Sequence, residues 1–393
     1  MPSHRWRRVF LVVALSALSA GLCVGCGSGA SKRRSVISEL VPTTPWCQAR
    51  TNATWKKALI DGLVTLSRRA SVQPLAVAND GRAFYATLFT KAYSGIVRID
   101  AKTSRFTEIR RVPHLDAYQA LGSADGRWLV WLDTTTPYWT KWAIWSWDSR
   151  TGRVRQIAAT PRAPHAQEWA SASTPSVRNG YVTWAQGIGP GETEVKVVDL
   201  ASSRSRVIRR GSAAQPFLLP SHVLIWVEDV RTPNGKKPVL VLRAASAVTG
   251  KRIPLPRWIS DLRGLQAASL MSDGKVFAHT AGPPASLWWS PSLAFAPSYR
   301  VFTAKGASSI DNSLGLAGIY VYFGVQPRAY LANGAEGRYL QIGPSGYAII
   351  GRNALVYLKP SPVKAAHAIA DVVFLPLASL PAIPPCSQRA SSS

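Results

Sequence analysis

The sequence predicts an all-β protein built from a repeated four-stranded unit, on three observations. Two short patterns alternate along the chain in fixed order, each returning at an average spacing in the forties. The apolar runs between them are short, rich in Val, Ile, Trp, Tyr and Phe, and bounded by Gly, Asn, Asp and Pro, as strands between turns are. Outside residues 54–67, no run of 12 residues keeps a convincing helical period. A unit of this length is one four-stranded blade, so the fold class is a β-propeller.

The first pattern is a tight turn followed by an apolar strand. It runs Asn79-Asp80-Gly81-Arg82 before Ala83-Phe84-Tyr85, then Ala124-Asp125-Gly126-Arg127 before Trp128-Leu129-Val130-Trp131. Arg178-Asn179-Gly180 precedes Tyr181-Val182-Thr183-Trp184, and Ser272-Asp273-Gly274-Lys275 precedes Val276-Phe277-Ala278. Asn-Gly and Asp-Gly are strong hairpin signals, because a type I′ turn needs positive φ at both central residues. Weaker copies begin at Pro220, Ala317 and Arg352. Seven copies predict seven blades, with six as the alternative.

The second pattern is an apolar strand ending in Asp, a turn with Thr or Ser, and a basic strand. Its copies run from Ile99 to Arg105, Trp147 to Arg153 and Val198 to Arg204. Ser246 to Lys251 keeps the turn without the Asp, and Asn333 to Arg338 is a shorter echo. Positions 100, 148, 199 and 246 stand 48, 51 and 47 residues apart. The side-chain oxygen of Asp100, Asp148 and Asp199 is expected to cap its turn. Together the patterns resemble the WD40-like repeats of the TolB family over roughly residues 72–380. That resemblance implies the propeller fold and no particular activity. The last unit has no basic fourth strand after Val372-Val373-Phe374-Leu375. A segment near the mature N-terminus is expected to supply it, closing the ring near the two termini.

The start of the chain reads as an export signal. Arg5, Arg7 and Arg8 precede an apolar stretch from Val9 to Ala20, 12 residues long. That suits a signal-peptide core and falls short of the about 20 residues a membrane span needs. Leu22-Cys23-Val24-Gly25-Cys26 resembles the bacterial lipobox, with Cys23 where leucine is usual. The resemblance implies cleavage before Cys26 and its lipidation. The expected organisation is a signal peptide over 1–25, a lipidated tether over 26–46 and a β-propeller over 47–392. The mature chain then sits on the outer face of the bacterial cytoplasmic membrane. Two cysteines remain, Cys47 and Cys386, and in an oxidising compartment they are expected to pair.

The chain carries 47 Lys and Arg against 20 Asp and Glu, a net charge of +27. Losing residues 1–25 removes three arginines and no acid, which leaves +24. Such a surface favours anionic lipid headgroups or anionic polymer, and the exported location argues against nucleic acid. The basic residues gather in the predicted fourth strands: Arg105, Arg110 and Arg111; Arg153 and Arg155; Arg204, Arg206, Arg209 and Arg210; Lys251 and Arg252. Charge on an edge strand discourages sheet-to-sheet pairing. Because these positions follow the repeat, an even spread around the molecule is expected.

Few residues suggest chemistry. The histidines are isolated, with no metal-binding spacing, and no Gly-x-Ser-x-Gly elbow is present. No catalytic residue, metal or cofactor is therefore assigned. Of the 15 Trp, Trp128, Trp131, Trp145 and Trp147 lie in predicted strands and are expected to pack between blades. Trp139 and Trp142 follow Thr134-Thr135-Thr136-Pro137 in a loop and are expected to be exposed ligand contacts. The functional expectation is a lipid-anchored, non-enzymatic binding platform of the cell envelope with a protein partner. A receptor for cell-wall carbohydrate or anionic polymer is one alternative, and a propeller lyase or glycosidase another.

Overall fold

The computed structural model describes residues 39–42, 46–66, 70–112, 118–136, 139–162, 165–219, 221–230, 239–255, 265–270, 276–280, 285–290, 299–305, 311–317, 320–325, 328–344, 347–359 and 371–386. Over 39–42 and 265–317 only the backbone course is described, Leu287 apart. Cys26 and the expected signal lie outside these residues, as do the turns at Ser272–Lys275 and Gly318. No helix among the described residues is long and apolar enough to cross a membrane.

The described strands form seven sheets in chain order. Sheet I comprises Ser71–Val77, Ala83–Phe89, Ser94–Asp100 and Phe106–Arg111. Sheet II is Gln119–Asp125, Trp128–Thr134, Trp142–Asp148 and Val154–Ala159; sheet III is Ser176–Arg178, Tyr181–Gly189, Glu192–Asp199 and Ser205–Gly211. Sheet IV is Ala213–Leu218, Val223–Val230, Val239–Ser246 and Arg252–Ile253. Sheet V is Leu265–Leu270, Val276–Thr280, Ala285–Ser290 and Tyr299–Lys305; sheet VI is Asp311–Ala317, Tyr320–Val325, Arg328–Asn333 and Arg338–Pro344. Sheet VII takes Ala348–Ile350, Ala354–Lys359 and Asp371–Pro376. In each, strands consecutive in the chain are hydrogen-bonded neighbours and run antiparallel.

The five copies of the second pattern fold alike. Four residues after Asp100, Asp148, Asp199, Ser246 and Asn333 stand Ser104, Gly152, Ser203, Gly250 and Gly337, all in the left-handed region, with φ of 57°, 70°, 60°, 74° and 63°. The Asp100 carboxylate accepts from the N–H groups of Lys102 and Thr103 at 3.1 and 2.7 Å, and Asp199 accepts likewise from Ala201. Asp148 adds an ion pair with Arg127, whose Nε donates at 2.8 Å. That guanidinium holds the Asp148 carboxyl down at about 2. The first pattern is less uniform than a run of type I′ turns. Asn179 and Gly180 both have positive φ, whereas at Asp80-Gly81 and Asp125-Gly126 only the glycine does. Asp125 pairs with Trp128, so the loop there is Gly126-Arg127, which needs positive φ at its first residue alone.

Residues before sheet I complete three other sheets. Glu39–Pro42 pairs antiparallel with Tyr299–Lys305 as a fifth strand of sheet V. Cys47–Gln48 pairs parallel with Arg338–Pro344 as a fifth strand of sheet VI. Leu63–Val64 pairs with Asp371–Pro376 and is the fourth strand of sheet VII, as the sequence suggests. Between them lies the helix Ala53–Asp61, shorter than the run over 54–67, capped by Asn52 Oδ1 accepting from the Trp55 N–H at 3.0 Å. Trp55 is buried among Leu331, Leu340, Leu355 and Leu375, and its Nε1 donates to the Ala382 carbonyl at 3.0 Å. Cys47 and Cys386 form a disulfide, with Cα atoms 6.0 Å apart. The tether expected over 26–46 is thus corrected at its end: residues 39–42 belong to a sheet and Trp46 is buried, because an outer strand offers backbone partners to whatever passes it.

Hydrophobic cores lie between neighbouring sheets. The first strands of sheets I and II, II and III, III and IV, V and VI, and VI and VII lie against one another, and that of VII lies against that of I. Phe84 of sheet I and Phe374 of sheet VII stack at 6.0 Å within one core.

Two outcomes test these contacts. Replacing Cys47 and Cys386 together by serine opens a crosslink across 339 residues. Loop-closure entropy sets the expected loss at up to about 6 kcal/mol, read from urea unfolding. An unchanged midpoint refutes the stabilising role. The Asp148 carboxyl titrates below its unfolded value of 3.8. Its contribution is complete above about pH 4 and fades as pH falls toward 2. Arg127→Ala should therefore lower the melting temperature at pH 7 and have little effect at pH 2.

Candidate functional site

The seams between sheets I and IV follow one rule with one exception. Trp128, Tyr181 and Val223 open the second strands of sheets II, III and IV, so Asp133, Gln186 and Glu228 stand at one equivalent position, five residues on. In the fourth strands, a bulge at the same place in each sheet sets Arg110, Ala158 and Arg209 opposite Ile96, Ile144 and Val195. These are again equivalent positions, ten residues after Asp100, Asp148 and Asp199.

At the I/II seam Arg110 Nη1 meets Asp133 Oδ2 at 2.7 Å. Asp133 also accepts from the Tyr118 hydroxyl at 3.1 Å and from Trp145 Nε1 at 3.2 Å, and the guanidinium lies 3.7 Å from the Trp145 ring centre. Burial pushes the Tyr118 phenol up, and the Asp133 charge adds to the shift. At the III/IV seam Arg209 Nε donates to Glu228 Oε1 at 3.0 Å, and Arg243 Nε reaches Oε2 at 3.2 Å. Each seam is bolted by an arginine crossing to a buried carboxylate.

The II/III seam has no bolt. Ala158 replaces the arginine and Gln186 the acid, and a cleft of 680 Å³ opens there. Trp184, Gln186, Glu194, Lys196 and Arg210 of sheet III form one wall, and Trp169 borders it. Glu194, 6 % exposed, accepts from Gln186 Nε2 at 3.1 Å and pairs with Lys196 Nζ at 2.8 Å and Arg210 Nε at 3.5 Å. Trp184 Nε1 donates to Gln186 Oε1 at 2.8 Å, which fixes the amide. The short helix Ala166–Trp169 carries Trp169 to the cleft, and residues 171–173 then run beside the second strand of sheet III. Gly187 permits this, since a Cβ there would stand 2.0 Å from the Trp169 carbonyl oxygen. Below the cleft Arg155 ties the two sheets, donating from Nη1 to Ser203 Oγ at 2.6 Å and from Nη2 to the Leu200 carbonyl.

The residues singled out in the sequence fall elsewhere. Trp139 and Trp142 are not exposed: they are 7 % and 4 % accessible, inside the core between sheets II and III. Trp142 begins a strand, and its Nε1 donates to the Ala170 carbonyl at 2.8 Å. Segment 166–173 covers them, a contact between distant stretches of chain that local sequence does not announce. Trp128, Trp131, Trp145 and Trp147 pack between sheets as expected. The outermost strands of sheets I and III carry Arg110, Arg111, Arg206, Arg209 and Arg210, whereas that of sheet II carries Arg155 alone. Among the described residues, no group of three or more His, Cys, Asp or Glu is placed to hold a metal ion. The cleft itself was legible only by comparing positions ten residues after each turn acid.

The seams should differ in cost when cut. Asp133→Ala strands Arg110 and Tyr118 and is expected to cost about 3–5 kcal/mol in chemical unfolding. Glu194→Gln keeps a hydrogen-bonding group beside Gln186 and leaves the 71% exposed Arg210 in water, and is expected to cost less, about 1–2 kcal/mol. Equal costs refute the difference between a bolted and an open seam.

No known sequence family matches the chain, and no curated protein matches it. Solved structures do. An oligogalacturonate lyase in complex with manganese superposes with a TM-score of 0.54 at 10% identity, covering 87% of this chain and 98% of that one. An oligogalacturonate lyase from Vibrio parahaemolyticus gives 0.52 at 9% identity, over 87% and 94%. The β-propeller domain of the Trilobed protease from Pyrococcus furiosus gives 0.48 at 12%, over 79% and 94%. At these identities the likeness to the two lyases carries the fold and no activity, and the fold of this chain is an all-β propeller.

Proposed function

We propose that the chain is a lipid-anchored, non-enzymatic binding platform of the cell envelope, held at the outer face of the bacterial membrane through Cys26 and engaging a protein partner. One observation carries the non-enzymatic part. The buried carboxylates described, those of Asp133, Asp148, Glu194 and Glu228, each already hold an arginine or lysine of the same chain. A proton-transfer mechanism needs a carboxyl group free to gain and lose a proton at the reacting atom, and these four are engaged. The alternative of a sugar receptor built on Trp139 and Trp142 loses its support with their burial. The lyase or glycosidase alternative rests on fold likeness alone.

We read the seven sheets as seven blades of TolB-like repeats in a closed ring. The contact between sheets VII and I and the Leu63–Val64 strand support this reading, and the Cys47–Cys386 bond ties the C-terminal tail to the outer strand of sheet VI. The basic Ser31–Ser35 stretch after Cys26 suits a tether beside anionic headgroups.

Cys26→Ser is expected to move the protein from the membrane to the soluble fraction or to leave an uncleaved precursor. A variant that fractionates as wild type, with an unchanged N-terminus, overturns the anchor. Crosslinking in intact envelopes is expected to join the wild-type chain to an envelope protein, and failure to do so counts against the platform.

A further inference from the structure

We propose that the outer strand of sheet II, Val154–Ala159, is a docking edge for an acidic, extended segment of a partner protein. The segment adds to the sheet as a fifth strand and sets one carboxylate into the unbolted seam, beside Arg210 and Lys196. This inference rests on the platform reading and specifies where the partner sits.

The chain itself demonstrates the mode. Glu39–Pro42 and Cys47–Gln48 add as fifth strands to sheets V and VI. A sheet of this fold therefore accepts one more strand at its outer edge. Main-chain hydrogen bonds provide affinity in such an addition, and side-chain pockets provide choice.

The other described edges are protected. In V, VI and VII the outermost strand is a segment of residues 39–64, only four, two and two residues long. Those of I and III border seams already filled by Arg110 on Asp133 and Arg209 on Glu228, so no vacant place there admits a partner's side chain. The fourth strand of sheet IV is two residues long. Sheet II differs on each count. Val154–Ala159 is six residues long, free of proline and uncovered by any described strand. Its outer half is Ile157-Ala158-Ala159, and its one cation, Arg155, is turned into sheet III.

The seam beside it has room. Ala158 sits where Arg110 and Arg209 stand in the neighbouring seams, so the volume of a long side chain is vacant in the 680 Å³ cleft. The charge there selects an acid. The facing strand, Ser205–Gly211, carries Arg206, Arg209 and Arg210. Arg209 is committed to Glu228, whereas the Arg210 side chain is 71% exposed and holds Glu194 only at 3.5 Å. Glu194 is the one acid lining the cleft, against Lys196 and Arg210. A carboxylate entering there balances the pair.

The test uses a fluorescent peptide in which valine alternates with glutamate, and its counterpart with lysine in place of glutamate. Anisotropy should show the glutamate peptide binding the mature protein at least about tenfold more tightly than the lysine peptide. Amide hydrogen exchange should slow over residues 154–159 when it binds. Ala158→Arg, which fills the vacant place in the seam, and Ala159→Glu, which sets a like charge against the peptide at an exposed position of the edge, should each weaken binding about tenfold without moving the melting temperature. Two variants guard against one that fails to fold. Absence of glutamate-peptide binding, protection confined to other strands, or wild-type affinity in both variants overturns the docking edge. In intact envelopes, a protein crosslinked equally by wild type and both variants overturns the docking edge alone. Crosslinking of no protein by wild type overturns the platform reading and the docking edge with it.

Discussion

A four-stranded sheet packed face to face with its neighbours leaves one strand at the rim, with a row of N–H and C=O groups that the sheet cannot satisfy. Each unmet group seeks water or another strand. In this chain the rim governs how the N-terminal segment runs, where arginine is placed and where the surface stays open. Residues 39–64 cross three rims in succession before the first complete sheet begins. The route explains why so short a helix persists there. Trp55 is pinned in a core and hydrogen-bonded to the chain's far end, so tertiary burial rather than helical propensity holds it.

The seams obey a second constraint. Large aromatics at one repeated position, Trp131, Trp184 and Trp226, fill the space between consecutive sheets. An arginine crossing to a carboxylate at the outer end then excludes water. Taking both charges out of water costs free energy that their attraction only partly returns, so such bolts serve register and specificity as much as stability. Where alanine and glutamine replace the pair, the aromatic layer stays and the outer end opens. The open seam and a rim whose one cation, Arg155, is turned into the next sheet fall together on sheet II, which links a packing detail to a binding surface.

The architecture was largely readable in the amino-acid order, because a propeller repeats local structure. Asp100, Asp148 and Asp199 announced their turns since a carboxylate reaches N–H groups two and three residues on, whatever lies elsewhere. The fourth strand of the last sheet was readable as a deficit, since the final unit runs out of chain. The type I′ turn at Asn179-Gly180 was readable too, but the same rule misjudged Gly81 and Gly126, where strand register chose other turns. The fifth strands were not readable, because Glu39–Pro42 and Cys47–Gln48 take their structure from edges some 250 to 300 residues away.

The sequence by itself determined the all-β class, the repeat, the capped turns, the Cys47–Cys386 pairing and the absence of the familiar catalytic motifs, all carried by local chemistry or simple arithmetic. Tertiary structure decided exposure. Trp139 and Trp142 looked like loop residues facing solvent until segment 166–173 folded over them. Ala158 looked inert until its equivalents, Arg110 and Arg209, were found crossing to the next sheet. The physical reason is the same in both cases. A side chain's burial and its partners depend on which distant strand lies opposite, and that information resides in the packing of sheets rather than in the residues beside it.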